Sequence, residues 1–301
     1  MTRVLLAGLC TLDILQLVEE YPAENEKVTA RAQTVAAGGP ATNAAATVAH
    51  LGGEPVLVTA AGRHPLAAGL HADLDRLGVH LVDLAADDAG APPVSSIVVS
   101  AGTGNRTVVS TNGAARMLAV PDLGPLLSGV EAVQVDGHYP ELATAVLTEA
   151  RRRGIPALLD AGSWKPVIPS LLPLLDVVVC SADFRPPGVT GVAAFLAGHG
   201  VRWIAVSRGA EPLLRWTGDG FVEQPVPRTE VVDTLGAGDV LHGALTLAVA
   251  RHWPLTDATF AEALDEAAAV ATRSCASFGT RAWMSTSPLE GVRSGTEGTD
   301  Q

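Results

Sequence analysis

The chain has 301 residues, 48% of them hydrophobic and 17% charged, which supplies enough apolar side chains for a sizeable core and excludes wholesale disorder. Lys and Arg total 20 against 32 Asp and Glu, a formal charge of −12, so the basic footprint that a phosphate backbone requires is missing and nucleic acid is not expected as a partner. Only Lys27 and Lys165 are lysines, and neither precedes Ser or Thr in a G-x-x-x-x-G-K-[ST] run, which excludes a Walker A phosphate loop.

Residues 4–10 form an apolar run followed closely by Asp13, too short to span a membrane and poorly flanked for a signal peptide. The run predicts a first buried strand, and no membrane association is expected. Residues 13–35 then hold two short strand-like pieces, 14–18 and 27–35, around a turn-rich Tyr21-Pro22-Ala23-Glu24-Asn25. A helix is predicted at 40–51, a strand at 55–61, a helix at 65–77 and a strand at 79–84. Residues 94–112 contain a second pair, 96–101 and 106–111, around Gly102-Thr103-Gly104-Asn105. Each pair reads as antiparallel. Strands at 132–136, 157–160, 177–180 and 202–207 alternate with helices at 140–153 and 191–198, and two consecutive helices, 237–251 and 259–276, follow.

Continuous apolar strands separated by helices predict an α/β fold with a mostly parallel sheet covered on both faces. The expected domains are a large α/β body of residues 1–12, 36–93 and 113–285, a small β-sheet from 13–35 and 94–112, and a Gly/Ser/Thr-rich tail at 286–301. Cys10, Cys180 and Cys275 are far apart and form no C-x-x-C pair, which points to a reducing, cytoplasmic setting without disulfides or structural zinc.

The sharpest chemical signal is Val232-Asp233-Thr234-Leu235-Gly236-Ala237-Gly238-Asp239, a glycine-rich turn opening a helix. Backbone amides at a helix N-terminus favour an anion. An acidic residue there makes sense if Asp239 accepts a proton from a hydroxyl while the amides hold a transferring phosphoryl group. Read alone, Asp239 serves equally well as a helix N-cap. The second signal is Gly38-Gly39-Pro40-Ala41-Thr42-Asn43, where Pro suits the first helical turn and the Asn43 amide can both donate to and accept from a hydroxylated ligand. Asp13, just beyond the first strand, lies where open α/β sheets bind ligands. Ala205-Val206-Ser207-Arg208-Gly209 approaches a hydrolase nucleophile elbow, but residues 211–218 read as a hairpin where that motif needs a helix, so a hydrolase is rejected.

The early Gly38-Gly39-Pro40-Ala41-Thr42-Asn43 and the late Asp233-Thr234-Leu235-Gly236-Ala237-Gly238-Asp239, in this order, resemble the ribokinase-like (PfkB) carbohydrate kinases over most of residues 3–284, and among them the ketohexokinase and fructokinase types. The resemblance implies a three-layer α/β/α ribokinase-like fold in which the two strand pairs form a β-sheet lid. It implies an ATP- and Mg2+-dependent sugar kinase, with K+ used by some members, a ketohexose or fructose favoured over ribose as substrate, and a homodimer joined through the lid.

By the same resemblance Asp239 is the base, and Gly236, Ala237 and Gly238 form the anion hole. Asp13, Gly38, Gly39, Asn43 and Arg106 match sugar-side positions. Ser207, Gly209, Thr234, Gly236, Gly238, Cys275 and Gly279 match the nucleotide side. Asp233 matches a monovalent-cation position, together with the Leu235 carbonyl. Where many members carry N-x-x-E this chain reads Ser181-Ala182-Asp183-Phe184, leaving Asp183 as the candidate that organises Mg2+, and Pro212 replaces a glycine of the nucleotide loop. The altered segment motivates an alternative, a sugar- or nucleotide-binding protein of the same fold with impaired catalysis. Lys27, His138 and Trp164 are expected mainly in solvated or structural roles.

Overall fold

Side chains on a strand point alternately to opposite faces, and here both faces are apolar. In the computed structural model, which describes residues 1–113 and 116–285, strand β1 (Arg3–Ala7) sends Val4 and Leu6 into one core and Leu5 and Ala7 into another. The same split recurs along the chain. It is seen in β4 (Glu54–Thr59), with Leu57 on one side and Val56 and Val58 on the other.

After β1 the chain builds β2 (Thr11–Val18), β3 (Ala32–Gly38) and helix α1 (Pro40–His50). Beyond β4 come α2 (Ala67–Arg76), β5 (His80–Asp83), β6 (Val94–Ser100) and β7 (Arg106–Ser110). Next are β8 (Ala132–Val135), α3 (Pro140–Arg153), β9 (Ala157–Ala161), the single turn α4 (Ile168–Leu171) and β10 (Val177–Ser181). The described chain continues with α5 (Val192–Gly198), β11 (Trp203–Arg208), β12 (Glu211–Trp216), β13 (Phe221–Gln224), α6 (Ala237–His252) and α7 (Asp257–Ser274).

The large sheet runs β13-β12-β11-β10-β9-β8-β1-β4-β5 and is parallel except for the β11–β12–β13 meander at one edge. One face is covered by α1, α2, α6 and α7, the other by α3, α4 and α5. This is the three-layer α/β/α arrangement that continuous apolar strands anticipate. The small sheet runs β3-β2-β6-β7. Its two hairpins are antiparallel, as their turns predict, but β2 and β6 pair parallel and join them, a relation that neither hairpin encodes locally.

Several element ends shift by a few residues from expectation, β2 among them, which starts at Thr11 where 14 is expected; two of the differences have identifiable reasons. The first strand stops at Ala7 because the Leu9 amide turns to donate to the Asp136 carboxylate at 2.8 Å. The strand expected from 27 begins at Ala32, since residues 27–29 are exposed and pair with nothing that would extend them. The tail at 286–301 lies outside the described residues.

Helices α1 and α6 cross closely through small residues. A Cβ at Gly243 would stand 2.5 Å from the Ala44 carbonyl oxygen, a backbone atom that cannot swing aside. Gly243→Val is therefore expected to cost roughly 1–3 kcal/mol through overpacking, read as a lowered midpoint in thermal unfolding.

Candidate active site

Helix α6 starts because Gly236 takes a left-handed conformation (φ 74°) that turns the loop into the first helical amides. A Cβ at Gly236 would also approach Thr280 at 3.2 Å and the Asn43 amide at 3.5 Å, so the turn needs glycine for both conformation and space. The Ala237 amide donates back to the Thr234 carbonyl at 3.3 Å. The amides of Gly238 and Asp239 belong to the first turn, which has no intrahelical acceptors, and the helix dipole favours negative charge beside them.

Asp239 is on this turn and meets α1 there. Asn43 Nδ2 donates to Asp239 Oδ2 at 2.7 Å. Burial pushes the Asp239 carboxyl up to about 7; the Asp160 carboxylate and, less strongly, Asp13 add to the rise, while the Asn43 hydrogen bond and His242 oppose it. A carboxyl poised there can exchange a proton near neutrality, which an ordinary exposed Asp cannot do.

The opposite wall comes from the small sheet and the start of α1. Asp13 on β2 is 5% exposed, and its Oδ1 accepts from the Thr11 hydroxyl at 2.6 Å. Burial raises its carboxyl above the ordinary Asp range, partly offset by hydrogen bonds from Thr11 and Ser95 and by Arg281. A Cβ at Gly38 would fall 1.9 Å from Asp13 Oδ2, so the glycine makes room for the carboxylate itself. Gly39, at the N-cap of α1, presses against the Leu9 carbonyl. The structure thus brings Asp13, Gly38, Asn43, Gly236 and Asp239 into one cluster.

Four residues that the sequence reading passed over complete this cluster. Asp136, 1% exposed at the end of β8, accepts from the amides of Leu9 and His138 and so fastens the loop before the small sheet. Asp160 at the end of β9 and His242 one turn along α6 lie 3.4 Å apart, both nearly fully buried. Arg281 donates through Nη1 to Asn43 Oδ1 at 3.0 Å and through Nη2 to the Ala37 carbonyl. Only His242 has a local signal, its position three residues after Asp239 on the same helix.

The remaining candidates sit around the 232–236 loop or apart from it. Asp233 is 2% exposed, and its two oxygens accept from the amides of Leu235 (2.9 Å) and Gly279 (3.0 Å), tying the loop to the segment after α7. The Cys275 carbonyl accepts from the Val232 amide at 2.8 Å, a second tie between the same segments. Arg106 on β7 donates to the Thr234 hydroxyl at 2.6 Å, linking the small sheet to the motif.

Ser207 donates to the Cys180 carbonyl at 3.3 Å, and Gly209 forms the left-handed turn into β12, the strand that rules out a nucleophile elbow. Asp183 is exposed after β10, and its amide donates to Ser181 Oγ. Among the described residues no three His, Cys, Asp or Glu side chains are grouped to hold a metal ion. Lys27 is exposed in the β2–β3 connection. The Trp164 ring packs against Phe184 and Phe195, and the His138 amide is anchored on Asp136. No described helix is long and apolar enough to cross a membrane.

A three-layer α/β/α body bearing a small second sheet, with a carboxylate at a glycine-rich helix start, defines the ribokinase-like class of phosphotransferases acting on an alcohol. The pfkB family carbohydrate kinase model matches residues 1–287, and the chain belongs to that family. It is 24% identical over 253 residues to the deoxyribokinase of Salmonella typhimurium, covering 77% of this chain and 80% of that one. It is 22% identical over 269 residues to the ketohexokinase of Mus musculus, covering 83% and 89%. The structure of Arabidopsis thaliana ribokinase complexed with ribose and ATP superposes with a TM-score of 0.74 at 20% identity, covering 95% of this chain and 100% of that one.

The raised Asp239 carboxyl has a consequence for stability. In the unfolded chain it titrates near the ordinary Asp value of ~3.9, so between ~4 and about 7 the folded state holds a proton that the unfolded state has lost. Stability then falls as pH rises through this window. Asp239→Asn removes that dependence, and chemical denaturation is expected to show the variant gaining stability relative to wild type between pH 4 and pH 8.

Proposed function

We propose that the protein transfers the γ-phosphoryl group of ATP to a hydroxyl of a small carbohydrate, with Asp239 as general base. The observation that supports this reading is the Asn43–Asp239 hydrogen bond between the starts of α1 and α6, with the base held up near neutrality beside first-turn amides that have no intrahelical acceptor. In the reaction Asp239 takes the hydroxyl proton, the sugar oxygen forms a bond to the γ-phosphorus, and the bond from that phosphorus to the β–γ bridging oxygen breaks to release ADP. Asp13 and Asn43 accept and donate hydrogen bonds to the sugar hydroxyls, and Gly38 leaves the space in which they meet. The Gly236 and Gly238 amides, with less from Ala237, face the transferring group. Phosphoryl transfer asks chiefly for positioning and charge stabilisation, which this set of groups supplies.

Ser207, Gly209, Thr234, Cys275 and Gly279 form the nucleotide side of this reading, and Arg106, bonded to Thr234, draws the small sheet over it as a lid. Mg2+ takes one or two carboxylates and otherwise phosphate and water oxygens. Asp183, exposed after β10, is the residue that would organise Mg2+ on the nucleotide, where the ion would neutralise phosphate charge. Asp233, already committed to two amides, has lone pairs left for K+, which would stiffen the Gly236 turn. A ketohexose leads as substrate and ribose follows, since Asp13 and Asn43 suit vicinal hydroxyls of either.

A coupled ADP assay over ketoses, aldoses, sugar acids and nucleosides, with and without K+, tests the reading. Asp239→Asn is expected to lower kcat by roughly 10²–10⁴-fold with nucleotide binding retained. Near-wild-type turnover in that variant would remove Asp239 from its role, and sugar binding without ADP from any substrate would favour a binding protein. For the active enzyme kcat/KM should fall as pH drops through about 7, where the base becomes protonated. A dimer through the small sheet is part of the same proposal, supported by exposed Val35 on β3 and Val108 and Val109 on β7, the two edge strands. Light scattering should give twice the chain mass, reduced to a single mass by Val109→Lys.

A further inference from the structure

We infer that Arg281 is a positioning residue for phosphoryl transfer, acting through the side-chain amide of Asn43. The inference rests on Asp239 being the base. An amide offers an acceptor on one side and a donor on the other, and the two are nearly equal in shape, so something must decide which faces the carboxylate. Arg281 decides it. Its Nη1 donates to Asn43 Oδ1 at 3.0 Å, which leaves Nδ2 to donate to Asp239 at 2.7 Å. A flipped amide would set its oxygen against the Asp239 carboxylate and its N–H groups against the guanidinium, two repulsive contacts in place of two attractive ones.

The guanidinium is itself tightly held. Nη2 donates to the Ala37 carbonyl, and Nη1 donates also to the Thr280 carbonyl at 3.1 Å. Nε lies 3.4 Å from Asp73 Oδ2, and both side chains are nearly enclosed, 12% and 11% exposed. Asp73 is fixed in turn by the Ala37 amide at 3.0 Å and by Arg76 Nη2 at 2.6 Å. Arg281 is charged whatever the working pH, so the amide is oriented permanently rather than only in one protonation state. The result is a continuous line from α2 through Asp73, Arg281 and Asn43 to Asp239.

Facing Asp239 are Asp160 from β9, His242 from its own helix and Asp13 from β2, together with Asn43. Asp160 and Asp13 raise its carboxyl, and of the two groups that lower it the Asn43 hydrogen bond acts more strongly than His242. Loss of the amide's orientation therefore leaves the base protonated to higher pH. The guanidinium faces Asp73 and Arg76 from α2 and Asp13 from β2.

The test is a double-mutant cycle on kcat and on the acid limb of kcat/KM. It uses Arg281→Met, Asn43→Ala and their combination, with Arg281→Lys, which keeps a donor for Asn43 Oδ1. Arg281→Met is expected to lower kcat about tenfold or more and to move the acid limb upward, with the KM for nucleotide little changed. In the Asn43→Ala background the same substitution should add less than about twofold and no further shift, and Arg281→Lys should recover part of both effects. Independent, multiplying losses, or an unmoved acid limb in Arg281→Met, would overturn the relay. If Arg281→Met does not fold, Arg281→Lys takes its place in the cycle, and a loss of kcat that persists unchanged without the Asn43 amide counts against the relay. Asp239→Asn, measured alongside, separates the two ideas: full turnover there sinks the base assignment, whereas an inactive Asp239→Asn with additive Arg281 effects sinks the relay alone.

Discussion

A single hydrogen bond, Asn43 Nδ2 to Asp239 Oδ2, joins two helix starts that lie 196 residues apart in the chain. Everything around it exists to make that contact possible. Helices α1 and α6 can approach because Gly243 and Ala44 present almost no side chain at their crossing. Gly236 turns the loop so that the first turn of α6 faces the amide, and Gly38 leaves room for the Asp13 carboxylate on the other side. The three-layer body supplies rigidity, since strands apolar on both faces fix the ends from which these loops emerge.

Concentrating carboxylates has an electrostatic cost. Asp13, Asp160 and Asp239 all lie in or near one poorly solvated region, and their mutual repulsion adds to desolvation in lifting the Asp239 carboxyl. Buried charge of one sign is tolerable only with compensating donors. The compensation comes from the Asn43 amide and His242, which lower the Asp239 carboxyl, and from Arg281, which lowers that of Asp13. Local stability is thereby traded for a carboxyl that titrates near neutrality.

Much of this was legible in the linear chain. Apolar runs at β1, β4, β8, β9, β10 and β11 marked the large sheet, and the glycine-rich segments before α1 and α6 pointed to Asn43 and Asp239, because short-range turn and helix-start chemistry is written locally. What stayed hidden depends on distant partners. The parallel pairing of β2 with β6 has no signature in either hairpin. Asp136 and Asp160 look like ordinary strand-end charges until the sheet order places them, and Arg281 looks like a solvated residue after a helix. Asp233 stands out in the motif, but that its oxygens tie the Leu235 and Gly279 amides together depends on a segment far along the chain. The Ala237 amide, expected to be free, is partly spent on Thr234.

The placement of Arg281 also bears on how the protein is made. Asn43 meets one partner 196 and the other 238 residues downstream. During translation the Asn43 amide waits for Asp239 first and for Arg281 only 42 residues later, so its orientation is fixed after its carboxylate partner has been made. A nascent chain shorter than 239 residues therefore holds Asp13 and Asn43 without the carboxylate that Asn43 bonds in the folded protein.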